Sequence, residues 1–179
     1  MKFTKTNLFL LAIVAGIVIT VAYNWVTNRP KIIHTVDNTG IYVTDQLRAP
    51  DFRLIKRMHI ATIVDMRPDG EARDQISSQT ADSASKSQRM AFAYIPVPHG
   101  AIPASAVEKL SSVLNNAKRP ILLYCRTGKR AIRTYCLAEA SRKEGHTEEE
   151  LISIAGKSGF SIDDLHAELQ QRIASRKTK

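Results

Sequence analysis

The chain has 179 residues, of which 44% are hydrophobic and only 6% aromatic, and its formal net charge is +9. Without its hydrophobic N-terminal segment, roughly 150 residues remain, enough for one domain with one core. The positive charge does not indicate a nucleic-acid-binding protein, because no binding motif is recognisable and few aromatic residues accompany the basic ones. Two cysteines at this spacing form no metal site, and the sequence predicts no cofactor.

The N-terminal segment is hydrophobic enough to cross a membrane. Residues 6–28 contain no charged side chain, and residues 8–23 are almost wholly apolar. About 20 apolar residues span a bilayer as a helix, and Tyr23 and Trp25 lie where interfacial aromatic residues are expected. We predict one transmembrane helix, with a cleaved signal peptide as the alternative.

This prediction divides the chain into a membrane segment, residues 1–28, and a catalytic domain, residues 29–179. Lys2 and Lys5 precede the span and slightly favour a cytoplasmic N-terminus. The predicted protein is therefore a single-pass membrane protein whose soluble domain lies in the periplasm or otherwise outside the cytoplasm. The sequence does not indicate an oligomeric state.

Along the rest of the chain, hydrophobic runs alternate with helical patterns. The runs predict β-strands over residues 32–36, 41–44, 61–65, 91–97 and 120–124. Helices are predicted over residues 49–58, 80–90, 103–117 and 129–143, and two more open at Thr147 and at the capping-box-like Ser161. This alternation indicates an α/β fold with a mainly parallel sheet of four to five strands and helices on both faces.

Three loops follow predicted strands at their carboxyl ends. They contain residues 65–71, residues 96–100 and the stretch that begins at Cys125. Ligands of open parallel sheets bind outside these ends, so we expect the three loops to meet in one crevice.

Cys125 has the surroundings of a reactive thiolate. It ends a hydrophobic strand and precedes Arg126, Thr127, Gly128, Lys129 and Arg130. Nearby positive charge, a helix N-terminus and a nest of backbone N–H groups all favour an anion, whether the thiolate itself or a bound oxyanion. The alternative is a cysteine that is merely buried, the usual fate of a free thiol. We predict that Cys125 is the nucleophile and that residues 126–130 bind the anion.

For the second cysteine, Cys136, we predict a packing role rather than a reactive one. Cys136 lies within the following helix, roughly 10 Å along its axis from the loop at 1.5 Å per residue. That separation exceeds the Cα–Cα span of a disulfide to Cys125. We predict that Cys136 packs against the sheet.

Four segments together resemble the bacterial phosphatase-like domain that also occurs fused to β-lactamase-like hydrolases. They begin at Gly40, Asp65, Ile95 and Cys125, and read GIYVT, DMRPDGE, IPV and CRTGKR. The resemblance covers residues 32–159. It implies a dual-specificity-phosphatase-like fold with the cysteine as nucleophile, in a family whose members are described both as phosphatases and as sulfurtransferases.

Two features depart from true cysteine phosphatases. Their loop is C-x5-R, whereas Arg130 here gives C-x4-R, similar to the rhodanese-type loop that holds a sulfane sulfur. Those enzymes also place a general-acid Asp shortly after the strand that resembles residues 91–97, where this chain has His99. Candidate acids are therefore His99 and, as alternatives to it, Asp65 and Asp69. Plain structural roles are also open: His99 as a loop histidine and Asp65 as a strand-end cap. Asp69 is expected to serve its Pro-Asp-Gly turn.

Three functions follow. The leading hypothesis is a sulfurtransferase that carries a persulfide on Cys125 and accepts sulfur from an anionic small molecule. The second is a phosphomonoester phosphatase that acts on a phosphorylated substrate through a cysteinyl-phosphate, with Arg130 as the phosphate clamp. The third is a membrane-tethered, non-catalytic module that only binds an anion.

Overall fold

The structure is a computed structural model that describes residues 13–20 and 33–176. The chain separates into two compact units, residues 1–31 and 32–179. In the first unit, residues 13–20 are helical and exposed. Within the described ranges, no helix is both long and apolar enough to cross a membrane. Most of the predicted span 6–28 lies outside those ranges, so the membrane anchor stays a prediction.

The second unit is built on a five-stranded sheet. Its spatial order is β1-β2-β5-β3-β4, and only the β1–β2 pair is antiparallel. The strands are β1 (Ile33–Thr35), β2 (Ile41–Thr44), β3 (Thr62–Asp65), β4 (Ala91–Tyr94) and β5 (Ile121–Tyr124). This confirms the mainly parallel sheet predicted from the alternating hydrophobic runs.

Helices cover both faces of the sheet, as predicted. They are α1 (Asp51–Arg57), α2 (Ser78–Ser87), α3 (Ala104–Asn116), α4 (Lys129–Ser141), α5 (Glu148–Lys157) and α6 (His166–Arg176), with a 3₁₀-helix over Asp163–Leu165. Buried residues of α3 to α6 pack on one face, and those of α1 and α2 pack on the other.

The central strand β5 shows why its sequence is an uninterrupted hydrophobic run. All four of its residues are buried, because side chains alternate between two covered faces. Leu123 belongs to the core under α3 to α6, together with Cys125, which follows the strand. Leu122 and Tyr124 belong to the core under α1 and α2. This alternation places Cys125 on the face that α4 covers.

Two helix starts illustrate how local hydrogen bonds set the boundaries. At α5, the side chain of Thr147 accepts from the backbone N–H of Glu150, and the Glu150 carboxylate accepts from that of Thr147, which is a full capping box. At α2, the Ser77 side chain accepts from Thr80, so the helix begins two residues earlier than predicted.

The prediction of a capping box at Ser161 was wrong. The Ser161 hydroxyl instead donates to the Asp163 carboxylate and accepts from the Asp163 backbone N–H. This local bonding forms a turn, and the chain makes the short 3₁₀-helix before α6 begins at His166. The predicted strand 91–97 also ends early, at Tyr94.

Candidate active site

Cys125 lies directly beyond the end of β5. It is almost completely buried, with 1% of its surface exposed. Residues 126–128 then turn into α4, and two hydrogen bonds hold the turn: Gln46 N–H donates to the carbonyl of Arg126, at 3.3 Å, and Lys129 N–H donates to the Thr127 hydroxyl, at 3.5 Å. The cysteine thus lies beneath a short loop at the N-terminus of a 13-residue helix.

The loop requires glycine at position 128. Gly128 has a φ of +87°, in the left-handed region. A Cβ atom there would lie 3.0 Å from Cζ of Phe160 and 3.4 Å from the backbone oxygen of Thr44. Only glycine adopts this φ without cost and leaves that space open.

Arg130 is held from two directions. Its Nη1 and Nη2 donate to the two oxygens of Glu71, at 2.6 and 2.7 Å, and Nη1 also donates to the carbonyl of Val97, at 2.6 Å. These bonds use both Nη1 hydrogens and one Nη2 hydrogen. The Nε and second Nη2 hydrogens, which share one edge of the planar guanidinium, stay available for the Cys125 sulfur or a bound oxyanion.

Glu71 is the acidic centre of this arrangement. It also accepts from Nε of Arg67, at 2.9 Å, and Arg67 is a buried side chain that donates onward to Gln46, at 3.0 Å. The hydrogen bonds from Arg130 lower the pKa of Glu71 to about 2. The ionised Glu71 in turn raises the pKa of Arg130, and the nearby Cys125 sulfur raises it further.

The loop residues open into a cleft of about 660 Å³. The predicted anion-binding residues Arg126, Thr127, Lys129 and Arg130 line it. His99, exposed on the loop after β4, lines it as well. The structure therefore brings His99 to the same cleft as the cysteine loop.

Asp65 is not among the residues that line this cleft. Asp65 is the register partner of Tyr124 and therefore projects to the face opposite Cys125. It is 1% exposed, and its carboxylate accepts from the backbone N–H of Arg67, at 2.9 Å. This is the strand-end cap that the sequence left open, and burial raises the pKa of Asp65 to about 6.

Asp69 and Cys136 also make contacts that support the fold. The carboxylate of Asp69 accepts from the backbone N–H and hydroxyl of Ser78, at 2.7 and 2.6 Å, and so ties its loop to the start of α2. Cys136 is fully buried in the core, which confirms its predicted packing, and burial raises the pKa of its thiol to about 12.

Sequence reasoning missed Arg67 and Glu71 as site residues. Both belong to the DMRPDGE segment, which was used only as a sign of family resemblance. Their signal was the end of a buried strand followed by an Arg and a Glu four residues apart. Arg and Glu at this spacing also form ordinary surface ion pairs, so the pattern alone does not indicate a functional site. What distinguishes Glu71 is its contact with Arg130, 59 residues further along the chain.

The parallel sheet, the buried cysteine at the end of its central strand and the arginine at the start of the next helix define a phosphatase-like α/β domain. Residues 34–142 match the family model described as the phosphatase-like domain of beta-lactamase hydrolase-like protein. Because the match covers well over half of the chain, the chain belongs to this family.

Relatives and solved structures agree with this assignment. The beta-lactamase hydrolase-like protein of Agrobacterium fabrum is 27% identical over 126 residues, and that of Xylella fastidiosa is 22% identical over the same length. Each match covers 70% of this chain and 29% of the relative, so the chain spans less than a third of the length of these proteins.

A candidate phosphatase from Neisseria meningitidis has a similar crystal structure. The TM-score is 0.68 at 27% identity, and the alignment covers 78% of this chain and 97% of that one. The catalytic core of the PP-IP phosphatase Siw14 from S. cerevisiae shares the fold, with a TM-score of 0.54 at 20% identity over 79% of this chain and 83% of that one. Both neighbours confirm the phosphatase-like α/β fold that the sequence predicted.

The first prediction concerns the conformation of the loop. Gly128→Ala should lower the free energy of unfolding by about 1–2 kcal/mol, because alanine is disfavoured at this φ and its Cβ would press on Phe160. Chemical denaturation monitored by circular dichroism measures the change.

The matched control is Gly156→Ala, since Gly156 lies within α5 and a Cβ there meets no atom within 4 Å. That variant should gain up to about 1 kcal/mol from helix propensity. Equal effects of the two substitutions would contradict the account of Gly128.

The second prediction concerns Asp65. An unfolded aspartate titrates near ~3.9, whereas burial raises the pKa of folded Asp65 to about 6. Between these values the unfolded chain has lost a proton that the folded chain retains, so Asp65 makes stability fall as the pH rises from about 4 to 6. Asp65→Asn keeps an oxygen for Arg67 N–H. It should therefore raise the free energy of unfolding at pH 7 by about 1–3 kcal/mol, with little effect at pH 4.

Denaturation curves at several pH values test this, with Asp82→Asn as the control. Asp82 is paired with Lys86 at the surface, and its substitution should leave the pH dependence of stability as it is. A destabilised Asp65→Asn variant at pH 7 would show instead that the ionised carboxylate supports the fold.

Proposed function

We propose that this chain is a phosphomonoesterase that works through a phosphoryl group carried on Cys125. The observation that carries the proposal is the anchoring of Arg130. Glu71 and the Val97 carbonyl fix its guanidinium beside the cysteine, and the other edge keeps two N–H donors for the Cys125 sulfur or an oxyanion. This geometry suits the planar, bidentate binding of a phosphoryl group.

In the first step, the Cys125 thiolate attacks the phosphorus of the ester, and an S–P bond forms as the P–O bond to the leaving group breaks. Arg130 and the backbone N–H groups at the N-terminus of α4 stabilise the negative charge on the non-bridging oxygens. His99, which lines the same cleft, gives its proton to the departing oxygen.

In the second step, a water molecule attacks the phosphorus of the cysteinyl-phosphate. His99, now neutral, takes the proton from that water, the S–P bond breaks, and the Cys125 thiolate and inorganic phosphate are released. The imidazole thus acts first as an acid and then as a base, and the enzyme ends in its starting state.

The comparisons support phosphatase activity over the sulfur transfer that the loop length favoured. The family is phosphatase-like, and the solved neighbours are described as a candidate phosphatase and a PP-IP phosphatase. They lend no support to a sulfurtransferase. The Arg130 clamp is an additional reason, because a persulfide has no set of equatorial oxygens for a bidentate donor to bind.

The third prediction uses two leaving groups to test this mechanism. Cys125→Ser should abolish hydrolysis of both phenyl phosphate and p-nitrophenyl phosphate, because no thiolate remains. His99→Asn should lower kcat/KM, which reports formation of the cysteinyl-phosphate, by about a hundredfold or more for phenyl phosphate, but much less for p-nitrophenyl phosphate, because p-nitrophenolate departs without a proton. Steady-state kinetics of the purified full chain measures both effects.

His59→Asn is the matched control, since His59 is exposed, lies between α1 and the amino end of β3, and has a positive φ that asparagine tolerates. It should leave both rates as they are. Hydrolysis that survives Cys125→Ser would overturn the proposal. Thiocyanate produced from thiosulfate and cyanide by the wild type, without phosphatase activity, would restore sulfur transfer.

A further inference from the structure

The cleft carries more positive charge than one phosphoryl group needs. Four basic side chains line it, against the two acidic ones of Asp164 and Glu168. Arg130, which Glu71 holds in place, is assigned to the phosphoryl group that reacts at Cys125. Among the residues that the structure describes, Arg126 and Lys129 have no carboxylate within ion-pair distance, and both are exposed.

Arg133, the fourth basic residue of the cleft, lies one helical turn beyond the loop. It follows Lys129 by four positions and Arg130 by three on α4. Residues at these spacings lie side by side on a helix, with Cβ atoms about 5–6 Å apart. An anion held between Lys129 and Arg133 would therefore lie next to the phosphoryl group at Cys125, within the same small molecule.

A carboxylate already occupies the position such an anion would take. Nη1 and Nη2 of Arg133 donate to the two oxygens of Asp164, at 2.6 and 2.7 Å. The side chain of Asp164 is 70% exposed, whereas that of Arg133 is 16% exposed. An ion pair with such an exposed partner contributes little stability, so a competing dianion can displace Asp164 at small cost.

The backbone explains why Asp164 is available for this contact. At the predicted capping box, its carboxylate would have bonded to the backbone at Ser161. The Ser161 hydroxyl bonds to Asp163 instead, and the 3₁₀-helix presents the next carboxylate, that of Asp164, to Arg133.

We propose that Lys129 and Arg133 form a second anion subsite, and that the substrate is a small molecule with two phosphoryl groups, the second of which displaces Asp164 from Arg133. This rests on the proposed phosphatase function and names its substrate class. A cleft of about 660 Å³ has the size of a small-molecule site. Ile102 and Leu165 supply an apolar wall for the part of the substrate that bears the two phosphoryl groups.

Two probes of matched chemistry test the proposal: phenyl phosphate and benzene 1,3-bisphosphate. Calorimetric titration of the full-length Cys125→Ser variant should show about tenfold tighter binding of the bisphosphate, as expected for one additional charge-assisted bidentate contact. Adding Arg133→Gln should reduce this preference to about twofold or less. Adding Asp164→Asn should instead increase the affinity for the bisphosphate.

Lys86→Gln controls for net charge, because Lys86 is paired with Asp82 away from the cleft, and it should leave the preference unchanged. Equal affinities for the two probes, or a preference that survives Arg133→Gln, would overturn the proposal. So would weaker bisphosphate binding after Asp164→Asn, which would mean that the ion pair is only a brace between α4 and the C-terminal segment.

The same titrations separate this proposal from the proposed function. If the otherwise wild-type chain hydrolyses phenyl phosphate but its Cys125→Ser variant shows no bisphosphate preference, only the second subsite is wrong. If the preference is present and depends on Arg133 but neither compound is hydrolysed, the subsite stands and the phosphatase mechanism is wrong.

Discussion

The bidentate ion pair between Glu71 and Arg130 joins segments that are far apart in sequence. Glu71 belongs to the loop after β3, and Arg130 begins α4 after the cysteine loop. The carbonyl of Val97, after β4, accepts from the same guanidinium. Because three strand ends meet in this contact, the direction of the Arg130 donors is fixed before any substrate arrives. Preorganised donors of this kind stabilise developing charge without reorganisation during the reaction.

Much of the architecture could be predicted, because the spacing of hydrophobic residues along the chain indicates which side chains are buried. A strand such as β5, covered on both faces, reads as an unbroken hydrophobic run, and the spacing of Cys125, Gly128 and Arg130 indicated the loop. The role of Glu71 could not be predicted, because it depends on a contact 59 residues away. The face of Asp65 depends on its register with Tyr124, which one sequence does not reveal.

The same contact changes how the length of the cysteine loop is interpreted. The four residues between Cys125 and Arg130 suggested a rhodanese-type loop and favoured sulfur chemistry over phosphate hydrolysis. In the structure, the direction of Arg130 is set by Glu71 and Val97 rather than by loop length alone. The loop is shorter than in true cysteine phosphatases, yet its arginine still has a donor edge for an oxyanion.

The central claim is that Cys125 carries a phosphoryl group during turnover. Intact-mass and peptide mass spectrometry of the full chain, quenched in acid while it turns over p-nitrophenyl phosphate, tests this most directly. The account predicts the mass increment of one phosphoryl group on the peptide containing Cys125, absent from Cys125→Ser and retained longer in His99→Asn. Steady hydrolysis with an unmodified Cys125 peptide in both the wild type and His99→Asn, or a sulfur adduct after thiosulfate in a chain that hydrolyses no phosphate ester, would contradict it.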